Sequence, residues 1–212
     1  MGNRAVITTS KSLDIKSSSD IGVYLHWNGG RDSVEAFLAY CKLKGYRSPE
    51  QDCYGYARLC QVIGNFFGGA LSLGIEKCCN LDCDNWDNGV YIIKNWEIVG
   101  RAYHDGEEQS EYDLKEMLND IDQRMPEHDR LGEDFLKADV VPCKEIKIGD
   151  EVFVRTYNDK YELQTVVGIG KEGSMKNGTD VSGMPYVGVY GDDYSDNINN
   201  YLRSDTVRRK AK

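Results

Sequence analysis

No apolar run in this 212-residue chain approaches the roughly 18 residues that a membrane span needs. The opening M-G-N-R-A-V-I-T-T-S has no apolar signal core, so neither secretion nor a membrane partner is expected. Internal repeats and long low-complexity tracts are absent as well. The 7 cysteines are odd in number and irregularly spaced, which excludes a simple disulfide framework and points to a reduced, cytoplasmic chain.

The motifs that would announce a cofactor are incomplete. The turn Gly29-Gly30-Arg31-Asp32 lacks the Gly-Lys-Ser/Thr of a phosphate loop, and Asp32 would repel phosphate. Cys79 and Cys83 have half of a zinc pattern, with Cys78, Asp82 and Asp84 beside them, but no second cysteine pair follows. Asp82, Asp84 and Asp87 fail the calcium-loop spacing, since the sixth and twelfth positions are Asp87 and Ile93. No metal and no cofactor is expected.

What is present is a soluble composition, 40% hydrophobic and 29% charged, long enough for one large or two small domains. Residues 22–43 read most clearly. Val23, Leu25 and Trp27 alternate with Tyr24 and His26 as in a strand. Gly29-Gly30 ends that strand, and one of the pair is expected at positive φ. Asp32 can cap a helix whose apolar face is Val34, Phe37, Leu38 and Cys41. His26 and Asn28 are expected to hydrogen-bond the turn, with Trp27 in the core.

A first strand is expected over 4–9, and a second helix from Ser48-Pro49 to about Phe67, ended by Gly68-Gly69. Further strands are expected near 70–77, 90–94 and 96–103, the last two as a hairpin through Asn95. The order ββααβββ predicts an α+β domain over 1–104: two helices packed on a mostly antiparallel sheet.

The net charge of −9 is localised. Residues 105–139 hold 13 acidic and 4 basic residues, while the blocks before and after are neutral. Helical pattern over this stretch predicts an acidic connector, 105–141, with Asp105, Glu107, Glu108, Glu111, Asp113, Glu116, Asp120 and Asp122 as a dense negative face. Such a field steers association toward basic partners. From 142 to 202 the pattern changes to short strands over 146–157, 162–169 and 186–190. Its I-K-x-G-D-x-V opening is similar to that of SH3-like small barrels. Residues 203–212 read as a frayed basic tail.

The blocks M-G-N-R-A-V-I-T, I-G-V-Y-L-H-W-N-G-G-R-D-S-V-E-A-F-L, G-N-F-F-G-G-x-L-S-x-G, D-N-G-V-Y-I-I and I-V-G-R, spread over 1–102, resemble a widespread family of small phage and mobile-element proteins. The chain also looks similar to phage-encoded inhibitors of CRISPR nucleases. That resemblance implies a host-defence antagonist that acts by binding a nucleic-acid-handling enzyme, such as a Cas9-type nuclease, in the bacterial cytoplasm. It implies no catalytic residue. Two other classes remain open: a small enzyme pairing His26 with a cysteine, and a nucleic-acid-binding module using the C-terminal strands and basic tail.

Overall fold

The computed structural model describes residues 3–156, 160–188 and 201–210. The chain is mixed α+β and divides into two compact units, Met1–Arg130 and Leu131–Lys212. The division falls between Arg130 and Leu131, where the sequence reading draws boundaries at 104/105 and 141/142.

In the first unit the elements are β1 (Ala5–Thr8), β2 (Ile21–Leu25), α1 (Arg31–Leu43), α2 (Tyr54–Phe67), β3 (Leu73–Lys77), β4 (Val90–Lys94), β5 (Glu97–Ala102) and α3 (Leu114–Arg124). The first seven follow the expected order. The sheet runs β3-β2-β1-β4-β5, antiparallel except for the parallel pair β1/β4. All four residues of β1 are buried, so both faces of the sheet are covered at its centre.

Alternation along the strands assigns the layers. Val6, Tyr24 and Val90 stand in register on one face, packed with Ile15, Cys78 and Cys83 from the long connections. Ile7, Val23 and Tyr91 stand on the other. The helices form the layer over that face, burying Val34, Phe37, Leu38 and Cys41 of α1 and Leu59, Val62 and Ile63 of α2.

Local chemistry explains where elements begin and end. Helix α2 starts at Tyr54, later than Pro49: Ser48 to Gln51 close a turn (Gln51 N to Ser48 O, 2.9 Å), and Asp52 Oδ1 accepts from Tyr54 N at 2.9 Å. The Pro49 backbone packs against α2 so closely that a Cβ on Gly55 would lie 2.4 Å from Pro49 N. Gly68 ends the helix at φ 71°, as expected. The β4–β5 hairpin turns through Asn95 and Trp96, both left-handed (φ 51° and 64°). Trp96 is buried, and its Nε1 donates to Tyr46 O at 2.7 Å, which holds this bulky residue in the turn.

In the second unit, helix α4 (Glu133–Lys137) precedes β6 (Asp139–Pro142), β7 (Glu151–Arg155), β8 (Tyr161–Ile169), β9 (Met175–Lys176), β10 (Thr179–Asp180), β11 (Pro185–Val187) and β12 (Thr206–Arg209). Five strands form an antiparallel sheet in the order β11-β8-β7-β12-β6, around Val141, Ile146, Val152, Val166, Val187 and Val207. Among the described residues no sheet is closed into a barrel. The short β9–β10 hairpin turns on Asn177-Gly178, both at positive φ, between the expected strands 162–169 and 186–190.

The basic tail is not frayed. β12 lies between β7 and β6, and the Arg208 guanidinium sits 4.6 Å from the Phe135 ring centre and donates to Phe135 O at 2.9 Å. Its charge disguises a paired strand as a solvated end. Tyr157, Val189, Tyr190, Ala211 and Lys212 of the expected strands and tail lie outside the described residues.

Candidate binding surface

The C-terminal ends of β2 and β5 and the N-terminal ends of β1 and β4 meet at one end of the first sheet, a consequence of the parallel β1/β4 pair. Three segments converge there: the turn after β2, the loop before β4 and the strap after β5.

In the turn, neither glycine has positive φ; Asn28 does, at 53°. Asparagine is among the few residues that visit this region readily. Gly29 is required for a different reason. A Cβ there would lie 2.7 Å from Ala5 N and Ala5 Cβ, and Gly29 N donates to Asn3 O at 2.7 Å. The turn is pressed flat against the chain entering β1. Gly30, not Asp32, is the residue preceding α1; Asp32 lies in the first turn, and its Oδ1 accepts from Ser33 N at 2.6 Å. Trp27 is not in the core: it is 45% exposed, with its ring edge-on to the exposed His26 at 5.1 Å.

The loop before β4 is built around Asn85, which is fully buried. Its Oδ1 accepts from Asp87 N (3.1 Å) and Gly89 N (3.0 Å), and its Nδ2 donates to Asp82 O and Gly89 O. Arg4 Nε donates to Asp87 Oδ2 at 2.7 Å, and this guanidinium holds the Asp87 carboxyl below its ordinary value. On this frame Trp86 stands at φ 59° and 90% exposed. A bulky residue in left-handed backbone is an outlier maintained by its surroundings.

The strap, residues 103–113, is not helical, so the expected helix over the acidic stretch begins only at Leu114. The eight acidic residues therefore do not share one face. Asp105, Glu107 and Glu111 are exposed, with no ion-pair partner among the described residues. Glu108 is held by Arg31 (Nη1 to Oε2, 3.3 Å) and by Arg101. Asp113 caps α3, accepting from Lys115 N at 2.9 Å and Glu116 N at 3.0 Å. Glu116 and Asp120 are exposed on α3, whereas Asp122 is buried and accepts from the Tyr40 hydroxyl at 2.6 Å. Leu118 and Ile121 bury the remaining face of α3 against α1 and α2. The mixed fate of these carboxylates follows from that packing, which a count of charge cannot reveal.

The cysteines divide by burial. Cys78 and Cys83 sit in the core beneath the sheet, and burial pushes the Cys83 thiol up to about 11. Burial likewise raises Cys41, Cys60, Cys78 and Cys143. Among the described residues no cysteine is hydrogen-bonded to a histidine, and no group of three potential metal ligands is assembled. No helix of the described residues is long and apolar enough to cross a membrane.

Sequence reasoning found the turn, with Arg31 in it, and the acidic segment, but missed Trp86, Arg101 and Tyr91. The available signal was a lone tryptophan inside D-C-D-N-W-D-N-G, a polar turn with no apolar pattern to bury it. Comparison with protein-family models, curated proteins and solved structures gives no match to this chain.

Proposed function

We propose that this chain acts by binding a basic protein surface through the end of its first sheet, as an antagonist of a nucleic-acid-handling enzyme in the bacterial cytoplasm. The resemblance to phage proteins and to inhibitors of CRISPR nucleases makes a Cas9-type nuclease the partner to test. The observation that carries this reading is the pairing of three unneutralised carboxylates, Asp105, Glu107 and Glu111, with two exposed tryptophans, Trp27 and Trp86, on loops tied to the sheet. Tryptophan dominates interface hot spots when it enters a partner's pocket, and a carboxylate rim raises the encounter rate. For the second unit we adopt an SH3-like arrangement, supported by the antiparallel strands that follow a Lys147–Asp150 turn (Lys147 N to Asp150 Oδ2, 2.9 Å).

The enzyme reading is weakened because five of the seven thiols are shifted upward by burial, opposite to what a nucleophile requires, and the exposed Cys53 and Cys79 have no hydrogen bond to a histidine among the described residues. The nucleic-acid reading is weakened because Arg208 lies on Phe135, while Arg209 pairs with Asp150 (3.7 Å) and Lys210 with Glu151 (3.2 Å).

The test is a binding titration against a guide-loaded Cas9-type nuclease at two salt concentrations. Reversing Asp105, Glu107 and Glu111 to Lys should weaken Kd about tenfold at low salt and flatten its salt dependence. Trp86→Ala should cost about tenfold or more at either salt. Absence of binding at both salts, or unchanged Kd in folded variants, rejects the reading.

A further inference from the structure

We infer that the N-terminus of α1, Arg31, Arg101 and the Tyr91 hydroxyl form a carboxylate-binding site that Glu108 of the strap occupies as a displaceable internal ligand. The two guanidinium groups grip opposite oxygens of one carboxylate, Arg101 taking Oε1 and Arg31 taking Oε2. Gly30 offers no capping side chain to α1; Asp32 Oδ1 takes Ser33 N at 2.6 Å, and Asp32 N is left to the strap, where Gln109 Oε1 reaches it at 3.4 Å.

A second observation points to a ligand. Tyr91 is 0% exposed, and its hydroxyl has no hydrogen-bond partner; the buried Nε of Arg101 has none either. Tyr91 and Arg101 are register partners on β4 and β5, and the guanidinium lies 3.7 Å from the ring centre. The charges of Arg101, Glu108, Arg31 and Asp32 all act on the Tyr91 hydroxyl, so it lies within electrostatic reach of the groups that hold Glu108. Glu108 leaves these two donors unsatisfied, as a tethered stand-in would, and a buried donor without a partner is costly. Glu35 lies 3.4 Å from Arg31, and Asp32 stands in the first turn of α1, so the surroundings oppose a dianion and suit a single carboxylate. That carboxylate belongs either to a small organic acid or to an acidic peptide segment that replaces the strap.

The experiment follows Tm while sodium acetate is titrated against sodium chloride at equal ionic strength, using Glu108→Ala and the shape-conserving Glu108→Gln. The site predicts a Tm rise in the Glu108→Ala protein that grows with the logarithm of acetate once acetate exceeds its dissociation constant, about 3 °C at tenfold above half-saturation of the site. The parent chain should not respond in that range, because a tethered carboxylate competes at high effective concentration. Adding Tyr91→Phe or Arg101→Gln to Glu108→Ala should raise half-saturating acetate severalfold. A blocked Gly-Glu-Glu-Gln peptide giving the same rise at tenfold lower concentration than acetate identifies the peptide source; the same rise at equal concentration identifies the small acid. The inference is overturned if neither folded Glu108 variant responds beyond chloride. It is equally overturned if the added substitutions leave the response unchanged, the parent chain responds alike, or inorganic phosphate stabilises in place of acetate. These readouts need no nuclease, so they stand or fall apart from the proposed function.

Discussion

Two adjacent glycines illustrate how residue-scale geometry decides what a position tolerates. A Cβ at Gly29 would press on Ala5 N, Ala5 Cβ and the Arg4 carbonyl carbon, all at 2.7 Å, and two of these are backbone that cannot yield. At Gly30 the nearest obstacle is Asp32 Oδ1 at 2.6 Å, the end of a side chain that can rotate away. Gly29→Ala should therefore destabilise the protein by about 1–3 kcal/mol, as overpacking does, and Gly30→Ala by clearly less. Urea unfolding of the two variants checks the order. The sequence marks the pair as special yet assigns the wrong reason, since positive φ is taken by Asn28 next door. Steric approach between segments far apart in sequence leaves no local pattern.

At the scale of elements, α3 shows how an acidic stretch serves several purposes. Asp113 caps its N-terminus, Leu118 and Ile121 bury its inner face, and Asp122 meets Tyr40 beneath it. Asp113→Ala should cost about 1 kcal/mol, the usual worth of such a cap, measured as a fall in the urea midpoint at unchanged slope. Charge reversal at Glu107, Glu108, Glu111 and Asp113 together thus mixes binding with stability. Reversing Asp105, Glu107 and Glu111, which are exposed and have no ion-pair partner among the described residues, changes the field without touching the cap or the Arg31–Arg101 clasp. The hairpin β4–β5, by contrast, was legible because alternation and a turn residue agree locally. β12 was not, because R-R-K reads as solvated until β6 and β7 pair with it on both sides.

For the whole molecule, ionisation sets a pH window. Ser10 and Ser18 hydroxyls hold Asp20 below its ordinary 3.8, and Arg4 does the same for Asp87. A carboxyl lowered by folding contributes stability above its unfolded value, and that stability is lost as pH falls through the folded value. Half-buried Cys60 and buried Cys83, raised by desolvation from 9.0 to about 11, act with the opposite sign. Their contribution is complete below 9 and is lost as pH rises toward 11. Thermal stability should accordingly be flat near neutrality, decline below pH 4 and decline again between 9 and 11. A Tm profile across that range checks both limbs, and Cys60→Ala with Cys83→Ala should reduce the alkaline one.

The sequence by itself determined the α+β class, the order ββααβββ, the Gly68 helix stop and the position of the β4–β5 hairpin. Each rests on periodicity or turn chemistry within a few residues, where backbone sterics act. Only the tertiary structure decided the parallel pairing of β1 with β4, and with it the end of the sheet where turn, loop and strap meet. It also decided which carboxylates are buried, capping, paired or free, and that Trp86 stands in solvent while Trp96 is enclosed. Charge and hydrophobicity are properties of residues. Which of them reaches a partner depends on neighbours brought together across 80 or more positions, as Arg4 and Asp87 are.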